Sequence, residues 1–291
     1  MECFRPLFIR GPDQDPVPCG KCFACQSNRR KDYFMRVKYE MLHSLYSLTL
    51  TLTYDDEHLP ERVGYHFVSD PLSPFYSDVP DYWYHPIDVD HVQRFIKRLR
   101  KRYTFRYFGV GEYGSKRGRP HYHMILFFND QYDWRKFKID VYREWWYGTQ
   151  IVIDVTDDDC IGYTLKYCIK PFTSTDPNPK LFCSKRPFIG AGYLSEANQD
   201  YLYHNLSDLS VNTIAGKMRL PRIYRDKIFS PVFDEVKRDI QKATLKEFVE
   251  QRQDKEKLEA YERGLTYKEY KKLKRDIFVT HVYKQLKKKS L

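Results

Sequence analysis

The stretch RYFGVGEYGSKRGRPHYHMILFF, residues 106–128, decides the fold. Arg106–Tyr113 and His121–Phe128 are aromatic and aliphatic runs, and the seven residues between them, GSKRGRP, carry the glycine and proline punctuation of a turn. Two such runs around a polar turn predict a β-hairpin with a basic loop. His121 and His123 stand two apart on the second strand, so their imidazoles leave the same face while Tyr122 and Met124 point to the other. Two imidazoles on one rigid strand make a platform for a divalent metal, although an isolated pair is more often structural. Glu112 sits on the partner strand within reach of the pair. Two imidazoles and a carboxylate suit magnesium or manganese, with positions left for phosphate oxygens.

Outward from the hairpin, Tyr46–Tyr54 alternates Leu48, Leu50 and Leu52 with Thr49, Thr51 and Thr53, the period of a half-buried strand. Asp88 or Asp90 can cap a helix whose apolar positions Val89, Val92, Phe95, Ile96, Leu99 and Tyr103 recur at helical spacing. Asp133–Tyr147 reads as a second helix stopped by Gly148, Thr149–Val155 as a further strand, and Asp157–Ile169 as a helix with an acidic first turn. The order strand, helix, hairpin, helix, strand, helix predicts an α+β fold: a central antiparallel sheet with helices on one face. A Cys-containing N-terminal segment precedes it and a helical, basic C-terminal region follows.

The chain has 291 residues, 42% of them hydrophobic, enough to bury a sizeable core. It lacks any apolar run of membrane-spanning length, and its first ten residues do not read as a secretory signal, so neither spanning nor export is expected. A net charge of +11 with 16% aromatic residues suits phosphate backbones and stacked bases. The charge is concentrated: residues 94–119 hold ten Lys or Arg against one acid, Glu112. Arg98, Arg102, Lys116, Arg117 and Arg119 are its candidate DNA contacts. Residues 54–90 reverse the sign, with nine acids, one Arg and five prolines, and read as an acidic loop insertion. The resulting division is a basic N-terminal segment over 1–45, the sheet domain over 46–195, and a mostly helical region over 196–291.

A second string, IGYTLKYCIK, places Tyr163 and Tyr167 at i and i+4 with Lys170 at i+7 on one helical stripe, while Ile161, Leu165, Cys168 and Ile169 can face the sheet. A phenol with a pKa near 10 is a poor nucleophile at neutral pH and needs a polarised phosphate or a nearby cation. His121, His123 and Glu112 would supply the metal, and Lys170 the cation.

With these residues in view, the sequence resembles the HUH endonucleases, and specifically the replication initiators of microviruses of the gokushovirus kind. The resemblance rests on SLTLTLTYDD, on the GEYGSKRGRPHYHMILF hairpin, on GYTLKYCIK with its two tyrosines, and on PCGKCFACQSNRRKDYFMR near the start. One departure is Tyr122, where the histidine motif usually carries a plain hydrophobe; its hydroxyl must find a partner in the core. The resemblance implies a ferredoxin- or RRM-like HUH fold and a tyrosine-dependent nickase that opens rolling-circle replication. It further implies a 5′-phosphotyrosine link, a Mg2+ or Mn2+ cofactor, and single-stranded or melted origin DNA as substrate. Host helicase and polymerase would be partners, with no membrane, in the cytoplasm of a bacterial host. A non-catalytic nucleic-acid-binding module and another HUH nickase, a transposase or mobilisation relaxase, remain alternatives.

Cys19, Cys22 and Cys25 follow C-x2-C-x2-C, with Cys3 upstream as a fourth. They read either as a structural zinc site or as free thiols. Arg29, Arg30, Lys31 and Arg36 just beyond are further candidates for phosphate contact. Cys160, Cys168 and Cys183 show no metal spacing and are expected as buried thiols.

Overall fold

Leucines alternating with threonines give β1 (Tyr46–Thr53) one apolar and one polar face, and the strand takes an interior place in a five-stranded sheet. The computed structural model describes residues 3–8, 17–65, 82–114, 118–154, 161–162, 164–165, 180–205, 210–213, 216–229 and 235–288. They fall into two compact units, Met1–Gly192 and Tyr193–Leu291.

In the first unit, β1 is followed by a short ribbon of β2 (Val63–Tyr65) and β3 (Tyr82–Tyr84), then α2 (Val89–Leu99), β4 (Arg106–Tyr113), β5 (Pro120–Phe128), α3 (Trp134–Glu144), β6 (Gln150–Asp154) and β7 (Lys180–Cys183), with α1 (Phe23–Leu42) preceding them all. The five-stranded sheet has the order β6-β1-β5-β4-β7, antiparallel at every pairing. Four of its strands with α2 and α3 form a split β-α-β arrangement, the ferredoxin-like topology. The stretch read as an acidic loop carries the β2–β3 ribbon.

Leu48, Leu50 and Leu52 pair across to Leu126, Met124 and Tyr122, and all six side chains pack beneath α2 and α3. Val92, Phe95, Ile96 and Leu99 supply the α2 stripe, and Phe137 and Val141 the α3 stripe. Asp88 caps α2, its carboxylate accepting from the Asp90 and His91 amides, and Asp133 caps α3 in the same way. Tyr122 lies in this core fully buried. Its hydroxyl donates to the Asp88 carbonyl at 2.7 Å and meets the Tyr54 hydroxyl at 2.9 Å, so the partner its position demands is present.

Two of the three expected helices, α2 and α3, therefore cover one face. The opposite face carries α1, a stretch whose sequence reads only as a basic segment. Val37 of α1 packs with Phe108, Val110, Ile125 and Phe127 of the sheet and with Ile161 and Leu165. Arg36 is buried and donates to the Ile189 carbonyl at 2.9 Å, which removes it from the candidates for phosphate contact. Glu40 accepts from the Gly190 amide at 2.7 Å and pairs with Arg106 of β4.

The second unit contains α4 (Glu196–His204), the ribbon of β8 (Ser210–Thr213) and β9 (Gly216–Arg219), α5 (Arg222–Ile228), and a helical hairpin of α6 (Glu235–Glu262) and α7 (Tyr267–Lys288). Gly264, with φ +65°, takes the left-handed conformation that the turn requires. Thr266 and Glu269 then cap α7 reciprocally, a capping box. The basic tail is thus helical through Lys288.

Candidate active site on the open face of the sheet

Strand register decides what stands beside the histidines. Across β5, His121 is opposite Thr53 on β1 and Glu112 on β4, while His123 is opposite Thr51 and Val110. Opposed residues share a face. His121, His123, Glu112, Thr51 and Thr53 therefore all stand on the side away from α2 and α3. Glu112 and His123 are nearly buried, at 5% and 7% exposure, and Glu112 Oε1 lies 3.2 Å from His123 Nε2.

The ring nitrogens facing the backbone have their own partners. His121 Nδ1 donates to the Pro120 carbonyl at 2.9 Å, which fixes the hydrogen on that nitrogen and leaves Nε2 as the ligating one. His123 Nδ1 lies 3.2 Å from Thr51 Oγ1. A hydroxyl can donate or accept, so Thr51 serves either tautomer of His123. Gly114 keeps the space beside His121 clear: a Cβ there would lie 2.8 Å from His121 Nε2. Two imidazoles and one carboxylate, with Nδ1 of both rings already satisfied, are a donor set suited to Mg2+ or Mn2+; Glu112 and His123 are in contact at 3.2 Å, while the three ligand atoms are not gathered together as the four cysteine sulfurs are. Sequence reading does not single out Thr51 or Gly114. The alternation of β1 is the available signal for Thr51, because every threonine of that strand faces the histidine side.

Tyr163, Tyr167 and Lys170 lie outside the described residues. Their neighbours Ile161 and Leu165 are described, helical and fully buried, packed against Val110 and Ile125 on the histidine face. The stripe of this segment expected to face the sheet does so at these two positions. Arg30 of α1 reaches the carbonyl of Gly162 at 3.4 Å. Toward the β6 edge the same face is open to solvent, with Ile151 and Ile153 more than half exposed.

Three of the candidate DNA contacts in the basic block are engaged in ion pairs. Arg98 pairs with Glu144 at 3.1 Å, donates to the Glu144 carbonyl at 2.8 Å and stacks over the Trp146 ring. Arg102 lies 3.2 Å from both Asp140 and Glu144. Arg98 on α2 and Arg102 just beyond its end are both tied to α3, on the far side of the sheet from the histidines. Arg119 is paired with Asp56 of the acidic stretch. Lys116 and Arg117 lie outside the described residues.

Near the N-terminus, Cys3, Cys19, Cys22 and Cys25 come together, with every Sγ within 4.8 Å of the others. The Cys22 amide donates to Cys19 Sγ, and this hydrogen bond leads in lowering the Cys19 pKa to about 6, whereas burial pushes Cys25 up to about 12. Cys183, in β7, is half-buried and burial raises its pKa; Cys160 and Cys168 are outside the described residues.

The family model for replication-associated proteins of the ORF2 type matches residues 47–172, the span from β1 through the tyrosine segment. The chain is similar to phage replication-associated proteins. It is 30% identical over 177 residues to replication-associated protein ORF4 of Chlamydia phage 1, covering 54% of this chain and 39% of that one. It is 29% identical over 266 residues to replication-associated protein ORF2 of Spiroplasma virus 4, covering 79% of this chain and 76% of that one. Replication-associated protein VP4 of Bdellovibrio phage phiMH2K is 28% identical over 224 residues, 73% and 60% of the two chains. The matched region is thus well under half of the Chlamydia phage protein. No solved structure matches the chain. Among the described residues, no helix is long and apolar enough to cross a membrane.

Proposed function

We propose that this chain is a replication-associated protein and a DNA strand-transfer nuclease that starts replication by nicking the viral strand through a tyrosine. The observation that supports this most is the convergence on one sheet face. His121, His123 and Glu112 stand there at adjoining register positions, and the segment that bears Tyr163 and Tyr167 packs its Ile161 and Leu165 onto the same face.

His121, His123 and Glu112 would hold Mg2+ or Mn2+, which when bound supplies Lewis-acid polarisation of the scissile phosphate. The protein's own residues do the rest. Thr51 and the Pro120 carbonyl orient the two imidazoles, and the buried setting of Glu112 keeps competing water from it. One tyrosine hydroxyl gives up its proton, with Lys170, three residues beyond Tyr167, as the cation its helical spacing would supply, and its oxygen forms a bond to phosphorus. The bond to the 3′ oxygen breaks, and that oxygen takes a proton and becomes the primer end. One phosphodiester is exchanged for another, so rejoining needs no nucleotide, in keeping with a chain that has no GxxxxGK loop. The second tyrosine can cut the regenerated origin while the first releases its strand. The open β6 side, with Ile151 and Ile153 beside the threonines of β1, gives single-stranded or melted DNA a way in. Host helicase and polymerase would extend the free 3′ end.

The test is incubation with viral-strand oligonucleotides and Mn2+, with and without EDTA. A covalent protein–DNA band that chelation abolishes supports the nuclease. Binding with no covalent band on any viral-strand oligonucleotide refutes it in favour of a non-catalytic binding module.

A further inference from the structure

The N-terminal cysteines are not part of the strand-transfer chemistry, yet their geometry is specific. Cys3 Sγ and Cys22 Sγ are 3.8 Å apart, and all four sulfurs lie within 4.8 Å of one another. Four thiolates around one zinc with Zn–S bonds of about 2.3 Å form a tetrahedron whose edge is about 3.8 Å, which the Cys3–Cys22 distance matches while the other sulfurs lie close enough to close on the same ion. Directly bonded sulfurs would be about 2.0 Å apart, which these are not.

The backbone around the cluster is built as a sulfur cradle. The Phe4 amide donates to Cys22 Sγ at 3.3 Å, the Cys19 amide to Cys3 Sγ at 3.2 Å, and the Cys22 amide to Cys19 Sγ at 3.4 Å. Such N–H donors stabilise thiolates rather than thiols. Gly20, at φ +74°, makes the left-handed turn that brings Cys19 and Cys22 together. Arg29 donates to the Gly20 carbonyl at 3.4 Å and brings a positive charge to the turn. Cys3 reaches the cluster because the chain folds back through the Leu7–Val17 bridge, whose two backbone hydrogen bonds are each 2.9 Å.

We propose that Cys3, Cys19, Cys22 and Cys25 bind one structural zinc ion as four thiolates. Zinc binding forms four Zn–S bonds as the four thiols release their protons to solvent; no electrons are transferred. Soft thiolates select zinc over magnesium or manganese, so the site is chemically distinct from the His121–His123–Glu112 cluster. Its place explains its purpose. Cys22 is the residue before α1 and Cys25 lies in its first turn, so the ion ties residues 3–7 to the start of the helix whose Val37 covers the histidine face. Few apolar residues of α1 are buried, and a metal clasp supplies stability that the packing of this helix does not.

The test is elemental analysis of the full chain purified under reducing conditions without chelator. One zinc per chain is expected, retained through dialysis, lost in Cys22→Ser and kept in Cys183→Ser. It should also be kept in the His121→Ala, His123→Ala double variant, so the result is independent of whether the protein cleaves DNA. Cobalt exchanged into the site should show the intense thiolate-to-metal absorption of a four-sulfur tetrahedral centre. No zinc in the wild-type protein and none taken up on adding one equivalent would overturn the proposal. Iron in its place, or zinc lost with the histidines, would overturn it as well.

Discussion

His123 reaches two residues at once: Nε2 lies 3.2 Å from the Glu112 carboxylate and Nδ1 lies 3.2 Å from the Thr51 hydroxyl. The ring is therefore held from both neighbouring strands, with Glu112 on β4 and Thr51 on β1. As the pair stands, the Nε2 hydrogen donates to Glu112 and the Thr51 hydroxyl donates to Nδ1. A cation taking the place of the Nε2 hydrogen moves the ring's hydrogen to Nδ1, and the Thr51 hydroxyl then accepts it.

On the proposed metal-dependent mechanism, Thr51 is a positioning residue for the metal. Thr51→Val keeps the shape and removes the hydroxyl, and is expected to lower Mn2+-dependent cleavage about 10- to 100-fold, the usual cost of losing a partner of a metal-ligating histidine. The loss should appear largely as a higher Mn2+ concentration for half-maximal cleavage, and Thr51→Ser should restore it. An unchanged metal dependence in Thr51→Val would show that the hydroxyl does not orient the ring.

Arg98 and Arg102 give a prediction opposite to the one their charge suggests. Arg98→Ala removes an ion pair with the Glu144 carboxylate, a hydrogen bond to the Glu144 carbonyl and a cation resting 3.9 Å over Trp146, and should cost about 1–3 kcal/mol of stability. Single-stranded DNA affinity at fixed salt should stay within about two-fold, because neither arginine is on the histidine face. Urea unfolding and a filter-binding titration on the same preparation separate the two effects. A large affinity loss at unchanged stability would return these arginines to the DNA interface.

How far the sequence carried is clearest at particular residues. The period of two in β1 and the glycine- and proline-marked turn after Tyr113 gave the central strands almost to the residue, because alternation and turn chemistry are local. The Asp88 cap of α2 was legible for the same reason. Helix α1 was not. Its buried positions, such as Ala24, Met35 and Val37, are sparse among charges, and the surface they cover is contributed by strands some seventy to ninety residues later. The roles of Arg98 and Arg102 were hidden likewise, since a run of positive charge does not reveal that Asp140 and Glu144 arrive opposite it on another helix. For the site, the histidine pair and Glu112 could be read from strand spacing, while Thr51 required the β1–β5 register.

His91 gives the protein a pH dependence of known sign. It lies between the Tyr54 hydroxyl, 2.9 Å from Nδ1, and Asp88, 3.6 Å from Nε2. Burial holds its pKa below the ordinary histidine value, outweighing the upward pull of Asp88 and Asp90, with Arg94 and Arg98 adding to the lowering. The unfolded chain therefore takes up this proton first. The contribution to stability is complete above the unfolded value of about 6.5 and is lost as pH falls through it toward the folded value. The urea midpoint should drop between pH 7.5 and 5.5, and the part of the drop due to His91 should vanish in His91→Gln. An identical pH slope in that variant would contradict the assignment.

The central claim is that a tyrosine of the GYTLKYCIK segment becomes joined to DNA. Its most direct measurement is peptide mapping by mass spectrometry of the protein after reaction with a cleavable viral-strand oligonucleotide and Mn2+, followed by nuclease trimming of the attached strand. The account predicts a nucleotide adduct on Tyr163 or Tyr167, abolished when both are changed to Phe and absent from the His121→Ala and His123→Ala proteins. An adduct on any other residue, or an undiminished adduct in the Tyr163→Phe, Tyr167→Phe double variant, would contradict it.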